Sequence, residues 1–373
     1  MLRRGNNEGS IRQRPGGKWE ATVQLNGHRF WLRTTTQAEA RRGVADLRKQ
    51  HEIGTLVPPS KVTVAHHIES WLAVASPDLR PKTRLDYDYM NRTFIGPAFG
   101  QVRVQRLTAP MIARQFAEWR TQERASGKTL LNVFRMLHRA MVVAHQWGLT
   151  SGNPLDGVEA PRAARPEVSV WSQGEASAFL RVLKAATWDT VLSVMLMATG
   201  ARFGEVLAAR WEDLDRATGA LSICRNVVTI HGVYIEGDPK TRAGIRTVEL
   251  PPFAVGALKA WRVVQLEERL AAGGLWQDTG RIVTLPDGAT PKHRKAYNAF
   301  HTLCDAAGVP RVRMHDMRHL HASLLLASGL PLPTVSARLG HASTAVTAAI
   351  YSHALKGQDS LAAQAMERAL AGG

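Results

Sequence analysis

The stretch HDMRH, residues 315–319, decides how the second half of this chain folds. A histidine and an arginine stand three positions apart in it, so a helix would present both on one face. Two further stretches follow, LGHAS at residues 339–343 and YSH at residues 351–353. His341 is expected to open a helix after Leu339-Gly340, and Tyr351 lies ten positions beyond His341.

An arginine and a lysine precede this stretch. Arg202 follows residues 190–199, an apolar run that predicts a buried helix. Lys240 lies in the loop between two β-like segments, residues 221–235 and 245–250. The second half therefore predicts a mixed, mainly helical domain in which cations gather around one tyrosine.

These side chains suit attack on a phosphodiester. A tyrosine hydroxyl has an ordinary pKa of about 10, so ionising it at neutral pH costs roughly 4 kcal/mol and another group must take its proton. Guanidiniums can hold the non-bridging oxygens of the phosphorane bidentately, and a lysine can protonate the departing oxygen. The sequence shows no paired-carboxylate nuclease pattern, Walker loop or Cys/His ligand set, so we expect neither a cofactor nor a metal.

These stretches resemble the motif boxes of tyrosine recombinases of the phage integrase kind. TGARFGE at residues 199–205 is similar to the first arginine box, and PKT at residues 239–241, followed by Arg246, is similar to the lysine hairpin. HDMRH is similar to the second arginine box, and LGHAS with YSH to the third. The match is specific because all the boxes occur in the family's order.

The resemblance implies a reaction that cuts and rejoins attachment-site DNA, for integration and excision of a phage or other mobile element. Tyr351 would attack and remain attached as a 3′-phosphotyrosine, Lys240 would protonate the 5′-oxygen, and His315 would assist proton transfer from the tyrosine. Glu205 would be a buried support. The residues implied to bind the scissile phosphate are Arg202, Arg318 and His341. The histidines interpreted as structural are His319, His321 and His353.

Two proline-containing breaks, at residues 57–61 and 153–166, predict three domains. We expect an α+β, mainly α fold: a small N-terminal three-stranded β domain with a helix over residues 1–57, a helical domain over residues 62–160, and a catalytic domain over residues 168–373. By the resemblance, the first domain would bind arm-type DNA sites and the second would bind core-type sites.

The first domain is predicted from a hairpin. Alternating residues 18–25 and 28–33 flank Asn-Gly at 26–27, which favours a tight turn, and residues 10–14 can supply a third strand. A polar helix is expected over residues 37–51. The strand arginines are candidate DNA contacts or, alternatively, a solvated basic surface; they are Arg12, Arg14, Arg29 and Arg33.

Helical apolar spacing defines the second domain. The predicted helices span residues 63–74, 81–94, 108–126 and 129–147. Basic residues repeat at helical spacing around the last of these helices. They form either a solvated face or a row of phosphate contacts. These candidate DNA contacts are Lys128, Arg135 and Arg139.

The charge of the chain points to a polyanion. The formal net charge is +17; residues 1–165 hold 26 Lys/Arg against 13 Asp/Glu, and residues 166–373 hold 22 against 18. Phosphate neutralisation dominates non-specific DNA affinity, so we expect the grip on DNA in the first part. Cys224 and Cys304 are too far apart in sequence for a metal-ligand pattern. No apolar run approaches a membrane span, and we expect the protein in the cytoplasm of a bacterial host, associated with the nucleoid.

The expected partner is double-stranded DNA carrying an attachment site, and no association with a membrane is expected. Recombination of two duplexes implies a homotetramer in the synaptic complex, and a directionality factor or a DNA-bending protein is a candidate partner. An amphipathic helix over residues 360–370 is expected to pack on a neighbouring protomer. Two alternatives are a type IB topoisomerase-like enzyme and a DNA-binding protein with an inactive catalytic domain. A role at a membrane surface is disfavoured because no helix combines a basic face with a large aromatic face.

Overall fold

The computed structural model describes residues 9–54, 56–163, 170–230, 232–239 and 242–351, and beyond these Ala363, Met366, Glu367 and Leu370. Backbone contacts divide the chain into two compact units, residues 1–165 and 166–373. Helices combined with small antiparallel sheets confirm the predicted α+β, mainly α class. Among the described residues, no helix is long and apolar enough to cross a membrane.

The first unit begins with a three-stranded antiparallel sheet and a helix. Its elements are β1 (Ser10–Gln13), β2 (Trp19–Leu25), β3 (His28–Thr34) and α1 (Gln37–Glu52). The predicted hairpin is present, because Asn26 and Gly27 have φ of +49° and +75° and so form the tight turn. Alternate residues of β2, Ala21, Val23 and Leu25, are buried in a small core that also includes Ala40 and Val44 of α1.

The rest of the first unit is helical. It comprises α2 (Val64–Ala75), α3 (Pro81–Met90), α4 (Gly96–Phe99), α5 (Ala109–Thr121) and α6 (Gly127–Gln146). The helix predicted over residues 81–94 is interrupted, since Asn91–Ile95 form a π-helical turn. Pro97 has no N–H to donate to the carbonyl of Thr93, and Nη2 of Arg124 donates to that oxygen instead at 3.1 Å.

The second unit surrounds a buried helix. Its helices are α7 (Gln173–Val182), α8 (Trp188–Thr199), α9 (Phe203–Ala208), α10 (Pro252–Ala272), α11 (His293–Ala307), α12 (Asp316–Ala327), α13 (Leu332–Leu339) and α14 (Thr344–Tyr351). Its strands are β4 (Ala220–Ile223), β5 (Asn226–Ile230), β6 (Val233–Gly237) and β7 (Arg246–Glu249). β4 pairs with β7 and β5 with β6, so the β-like run over residues 221–235 is divided between two small sheets.

Two hydrophobic clusters stabilise this unit. The larger one includes eight of the twelve side chains of α8, counting two partly buried ones, which explains why most of that helix is apolar. The smaller one joins α12, α13 and α14 and contains Tyr351. The amphipathic helix predicted over residues 360–370 lies, except for four positions, outside the described residues.

Candidate active site

Arg202 is positioned by a left-handed turn after α8. The helix ends at Thr199, and Gly200 follows with φ of +61°. A Cβ on Gly200 would lie 2.7 Å from Cδ2 of His321, so the close approach and the positive φ both require glycine. Arg202 then caps α9, where the Glu205 carboxylate accepts a hydrogen bond from the Arg202 backbone N–H at 3.0 Å.

Glu205 links two arginines. Its side chain is 1% exposed, and the carboxylate accepts a hydrogen bond from Nη1 of Arg202 at 2.7 Å and lies 3.1 Å from Nη2 of Arg246 on β7. Burial alone would raise the pKa of this carboxyl, but Arg246 and Arg202 outweigh it and hold the pKa below its usual value. Because the Arg246 side chain is itself buried, loss of the carboxylate would leave an uncompensated charge in the interior.

Arg318, on α12, has an unsatisfied donor. Its Nη1 donates to the carbonyl oxygen of Gly200 at 2.9 Å, whereas its Nη2 is buried and has no hydrogen-bond partner among the described residues. Burial lowers the Arg318 pKa to about 10, and the charges of Arg202 and Arg246 act in the same direction. A buried N–H without an acceptor costs about 1–3 kcal/mol. An anion would supply the acceptor and offset the excess positive charge.

Two histidines near these arginines are neutral at pH 7. Burial, followed by the charges of Arg318 and Arg202, lowers the pKa of His341 to about 4. The pKa of His315 is also lowered to about 4; surrounding protein desolvates part of the ring although the residue keeps solvent access, and His319 and Arg318 add to the effect. A neutral imidazole can donate one hydrogen bond and accept another, which suits contact with a phosphate and a hydroxyl.

Both histidines lie just outside helices. His315 immediately precedes α12. His341 was expected to begin a helix, but α14 begins at Thr344, and His341 lies in the connection after Gly340. The cause is the left-handed conformation of Gly340, with φ of +70°, which ends α13. Nδ1 of His341 is 2.7 Å from Oγ1 of Thr347, which fixes the orientation of the ring.

Tyr351 is the last described residue of α14 and is 1% exposed. It belongs to the small cluster with Leu326 and Leu339, and its hydroxyl oxygen is 2.9 Å from Nδ1 of His319. Burial raises the pKa of Tyr351 to about 12, and the charge of Arg318 opposes this shift. At pH 7 the free phenolate would therefore cost about 7 kcal/mol. Attack by this hydroxyl requires a group that accepts its proton.

A sequence profile of the phage integrase family matches residues 172–358, half of the chain. The chain belongs to the phage integrase family. A similar curated protein is the tyrosine recombinase XerC-like protein of Caldanaerobacter subterraneus subsp. tengcongensis, 26% identical over 357 residues that cover 90% of each chain. This integrase is a tyrosine recombinase, an enzyme of site-specific DNA recombination.

Two solved structures show the same fold. The integrase of the Tn1549 transposon, in complex with transposon right end DNA, aligns with a TM-score of 0.67 and 20% identity over 82% of this chain and 99% of that one. The lambda integrase tetramer bound to a Holliday junction aligns with a TM-score of 0.54 and 16% identity over 92% of this chain and 94% of that one. At these identities the likeness concerns the fold alone.

Lys240 of this integrase lies outside the described residues. Its loop leaves β6 at Gly237 and is described again from position 242 onward, shortly before β7. The five other residues predicted to be catalytic, together with Glu205, all fall within the second unit. Their catalytic roles remain predictions.

Sequence reasoning missed two residues of this site. His319 was interpreted as structural, yet its ring contacts the Tyr351 hydroxyl. Arg246 was quoted only as part of a motif, yet it shares Glu205 with Arg202. His319 directly follows Arg318, and that adjacency was the available signal. No comparable sequence signal marked Arg246, because it pairs with Glu205, which lies 41 positions away in the sequence.

The strand arginines of the integrase surround one acidic residue. Glu20 of β2 is 1% exposed and is bonded by Arg12 and Arg14, with Nε of Arg33 at 3.7 Å. Hydrogen bonds from Arg12 and Arg14 lower the Glu20 pKa to about 2. Register places Arg12, Glu20 and Arg33 in one row across the sheet, on the face opposite the α1 core. Arg29 lies apart from Glu20, with its guanidinium 5.5 Å from the ring centroid of Trp31.

The basic residues predicted on the helical part are solvent-exposed. Lys128, Asn132, Arg135 and Arg139 are exposed at helical spacing along α6. Among the described residues, no carboxylate lies within ion-pair distance of Lys128, Arg135 or Arg139. Nη1 of Arg139 is 3.5 Å from the hydroxyl oxygen of Tyr87. Exposed cations that are not neutralised by a carboxylate are suited to contact phosphates, and this remains a prediction.

Proposed function

We propose that this integrase cuts and rejoins attachment-site DNA through a 3′-phosphotyrosine at Tyr351, for integration and excision of a phage or other mobile element. One observation carries the proposal: Arg318 keeps a buried, unsatisfied N–H beside a second guanidinium and near a tyrosine hydroxyl. A scissile phosphate would complete that arrangement.

The charges support a phosphate at this position. Arg202 and Arg318 both lower the pKa of His341, and Arg202 lowers that of Arg318, so these groups act on one small region. Glu205 offsets part of the positive charge, and both of its carboxylate oxygens already accept hydrogen bonds from Arg202 and Arg246. It therefore does not supply the acceptor that Arg318 lacks. A phosphodiester, and still more the phosphorane formed from it, would be stabilised by the two guanidiniums and by the neutral His341.

The proposed step is a displacement at phosphorus. The Tyr351 hydroxyl oxygen forms a bond to phosphorus and loses its proton, which His315 helps to transfer. The bond from phosphorus to the 5′-oxygen breaks, and Lys240 protonates that oxygen. Because the phosphodiester energy is kept in the phosphotyrosine, a 5′-hydroxyl from another strand can reverse the step and reseal the DNA.

We infer the assembly from the resemblance and the charge. Residues 1–57 would bind arm-type DNA, residues 62–160 core-type DNA, and residues 168–373 would perform catalysis. The lambda integrase of the same fold is a tetramer on a Holliday junction, and we propose a homotetramer in the synaptic complex here, acting on double-stranded DNA in the bacterial cytoplasm. A directionality factor or a DNA-bending protein would be an additional partner.

Covalent trapping tests the proposal. Duplexes bound by the wild-type protein are selected from a random pool, nicked at random positions and incubated with the protein, and protein–DNA adducts that resist denaturant are counted. A nick near the cleavage point lets the short strand diffuse away, so the adduct accumulates. We expect an adduct for the wild type and none for Tyr351→Phe.

The control is DNA binding by the same two proteins. Equal binding with an adduct only for the wild type supports Tyr351 as the nucleophile. An adduct that persists in Tyr351→Phe assigns the reaction to another residue, and no adduct for either protein, with binding intact, contradicts the proposed reaction.

A further inference from the structure

Among the described residues, the hydroxyl of the attacking tyrosine has a hydrogen-bond partner that can accept its proton. The Tyr351 hydroxyl oxygen is 2.9 Å from Nδ1 of His319, and the two ring centroids are 5.6 Å apart. This is the distance of a hydrogen bond between a hydroxyl and an imidazole nitrogen. With its proton on Nε2, the His319 ring accepts this hydrogen bond at Nδ1.

His315 lies one ring further away. Its centroid is 5.3 Å from that of His319, and the planes are perpendicular. Among the described contacts of the Tyr351 hydroxyl, the hydrogen bond is to His319 rather than to His315. His319 is thus the first imidazole that the proton reaches, and His315 is the second.

The position of His319 is set by the helix that also holds Arg318. The two are consecutive on α12, so one rigid helix fixes the backbone positions of both the guanidinium and the imidazole. Tyr351 is held against the same helix by the cluster of α12, α13 and α14. The hydrogen bond therefore joins two rigid elements, as a catalytic contact requires.

We propose that His319 is a catalytic residue of this integrase, the proton acceptor for the Tyr351 hydroxyl during strand cleavage and the donor of that proton during rejoining. The inference rests on the proposed function. As the bond from the Tyr351 oxygen to phosphorus forms, the proton passes to Nδ1 of His319 and gives an imidazolium, while the bond to the 5′-oxygen breaks and that oxygen takes a proton from Lys240. Rejoining returns both protons.

Two substitutions separate proton acceptance from positioning. Asn has a carbonyl oxygen close to the place of Nδ1, so His319→Asn can accept the hydrogen bond but cannot take the proton. His319→Phe keeps a ring and loses both functions. The matched control is His315→Asn, which changes the neighbouring imidazole in the same way.

Single-turnover cleavage of the selected, nicked duplexes measures the effect. General base catalysis typically contributes about 10²–10⁴-fold, so we expect His319→Asn and His319→Phe both to slow cleavage by at least about 100-fold, and His315→Asn to slow it less. Thermal melting and DNA binding of each variant serve as folding controls, and His319→Asn remains informative if His319→Phe fails to fold.

A second substrate separates the two proton transfers. In a duplex with sulfur in place of the bridging 5′-oxygen, the leaving group needs no proton. We expect this substrate to restore cleavage by Lys240→Ala and to leave His319→Asn slow.

The outcomes distinguish this inference from the proposed function. Cleavage by His319→Asn at close to the wild-type rate, with His319→Phe slow, would show that His319 only positions the tyrosine and would overturn the inference. Wild-type rates in both variants would overturn it as well, and the proposed function would stand. If the wild-type protein itself forms no adduct, the proposed function fails and the inference falls with it.

Discussion

Two glutamates in this integrase each pair with more than one arginine: Glu20 in the N-terminal sheet and Glu205 in the catalytic unit. Around Glu20, the side chains of Arg12, Arg14 and Arg33 are 57%, 46% and 79% exposed. Around Glu205, the side chains of Arg202 and Arg246 are 30% and 6% exposed. The residue types are the same, and the difference lies in how much water reaches the cations.

This difference determines what each cluster can do. In the sheet, water screens the arginines, so the pairing with Glu20 adds little stability and leaves the guanidiniums able to reach DNA phosphates or bases. In the catalytic unit, the low dielectric makes each unpaired charge costly. There the buried carboxylate stabilises Arg202 and Arg246, and Arg318 keeps a buried N–H without an acceptor among the described residues.

The largest effect is expected from removing the carboxylate charge of Glu205, and removing that of Glu20 gives the comparison. Glu205→Gln leaves Arg246 buried without its counter-charge and should destabilise the protein by about 3–5 kcal/mol, a fall in Tm of at least about 6 °C. Glu20→Gln, at the exposed cluster, should lower the Tm less. Calorimetric melting of the full chain measures both. A Glu20→Gln variant less stable than Glu205→Gln would contradict the comparison.

Arginine geometry should matter in the buried cluster and little in the exposed one. Arg318→Lys keeps the charge but loses the fork of N–H donors, so strand cleavage should slow by about 10²–10³-fold. Arg14→Lys should leave the cleavage rate of bound core-type DNA near that of the wild type. The measurement is single-turnover adduct formation with saturating protein. Equal slowing by both changes would contradict the comparison, and a wild-type rate in Arg318→Lys would mean that its fork of donors does not hold the phosphate.

Acid should weaken the catalytic unit at a higher pH than it weakens the sheet. His321 and His341 have pKa values of about 4, against 6.5 for ordinary histidine, so the unfolded chain binds more protons between these values. The contribution of these two histidines to the stability of the folded state is therefore full above pH 6.5 and declines as the pH falls to 4. The Glu20 pKa is about 2, against 4.5, so its contribution is present above pH 4.5 and is lost on further acidification.

His321 gives this prediction a molecular control. Its Nδ1 donates to the carbonyl of Met197 at 2.9 Å, and its Nε2 accepts from Nε of Arg338 at 3.1 Å, so protonation would place two donors face to face. Melting temperatures measured from pH 7 to pH 4 should fall less steeply in His321→Gln than in the wild type. Parallel curves would exclude His321 as a source of the acid sensitivity.

The smallest effect concerns exposed cations that have no carboxylate near them. Each of Arg135→Ala and Arg139→Ala should reduce the slope of log affinity against log salt concentration by about 1, because one phosphate contact is lost. Arg162→Ala is the matched control, since Arg162 is exposed but paired with Glu159. Binding titrations at several salt concentrations give the slopes. An unchanged slope in Arg135→Ala and Arg139→Ala would favour a purely solvated face.

Local patterns were sufficient for most elements of the fold. The Asn26-Gly27 turn, the helices of the first unit and the apolar α8 all follow from turn chemistry and from the spacing of apolar residues. The failures also have local causes. The helix predicted over residues 81–94 misses its π-helical turn, and the helix expected to begin at His341 begins three residues later, after the left-handed Gly340.

The sequence by itself determined the family, the order of the motif residues and the candidate nucleophile, because these depend on residue types and spacing along the chain. Only the tertiary structure decided that Glu205 pairs with Arg246, that Arg318 keeps an unsatisfied N–H, and that His319 contacts Tyr351. The contacts of Glu205 and Tyr351 join residues 41 and 32 positions apart. Partners at such distances are fixed by packing of the core and by the cost of burying charge, neither of which can be read from local spacing.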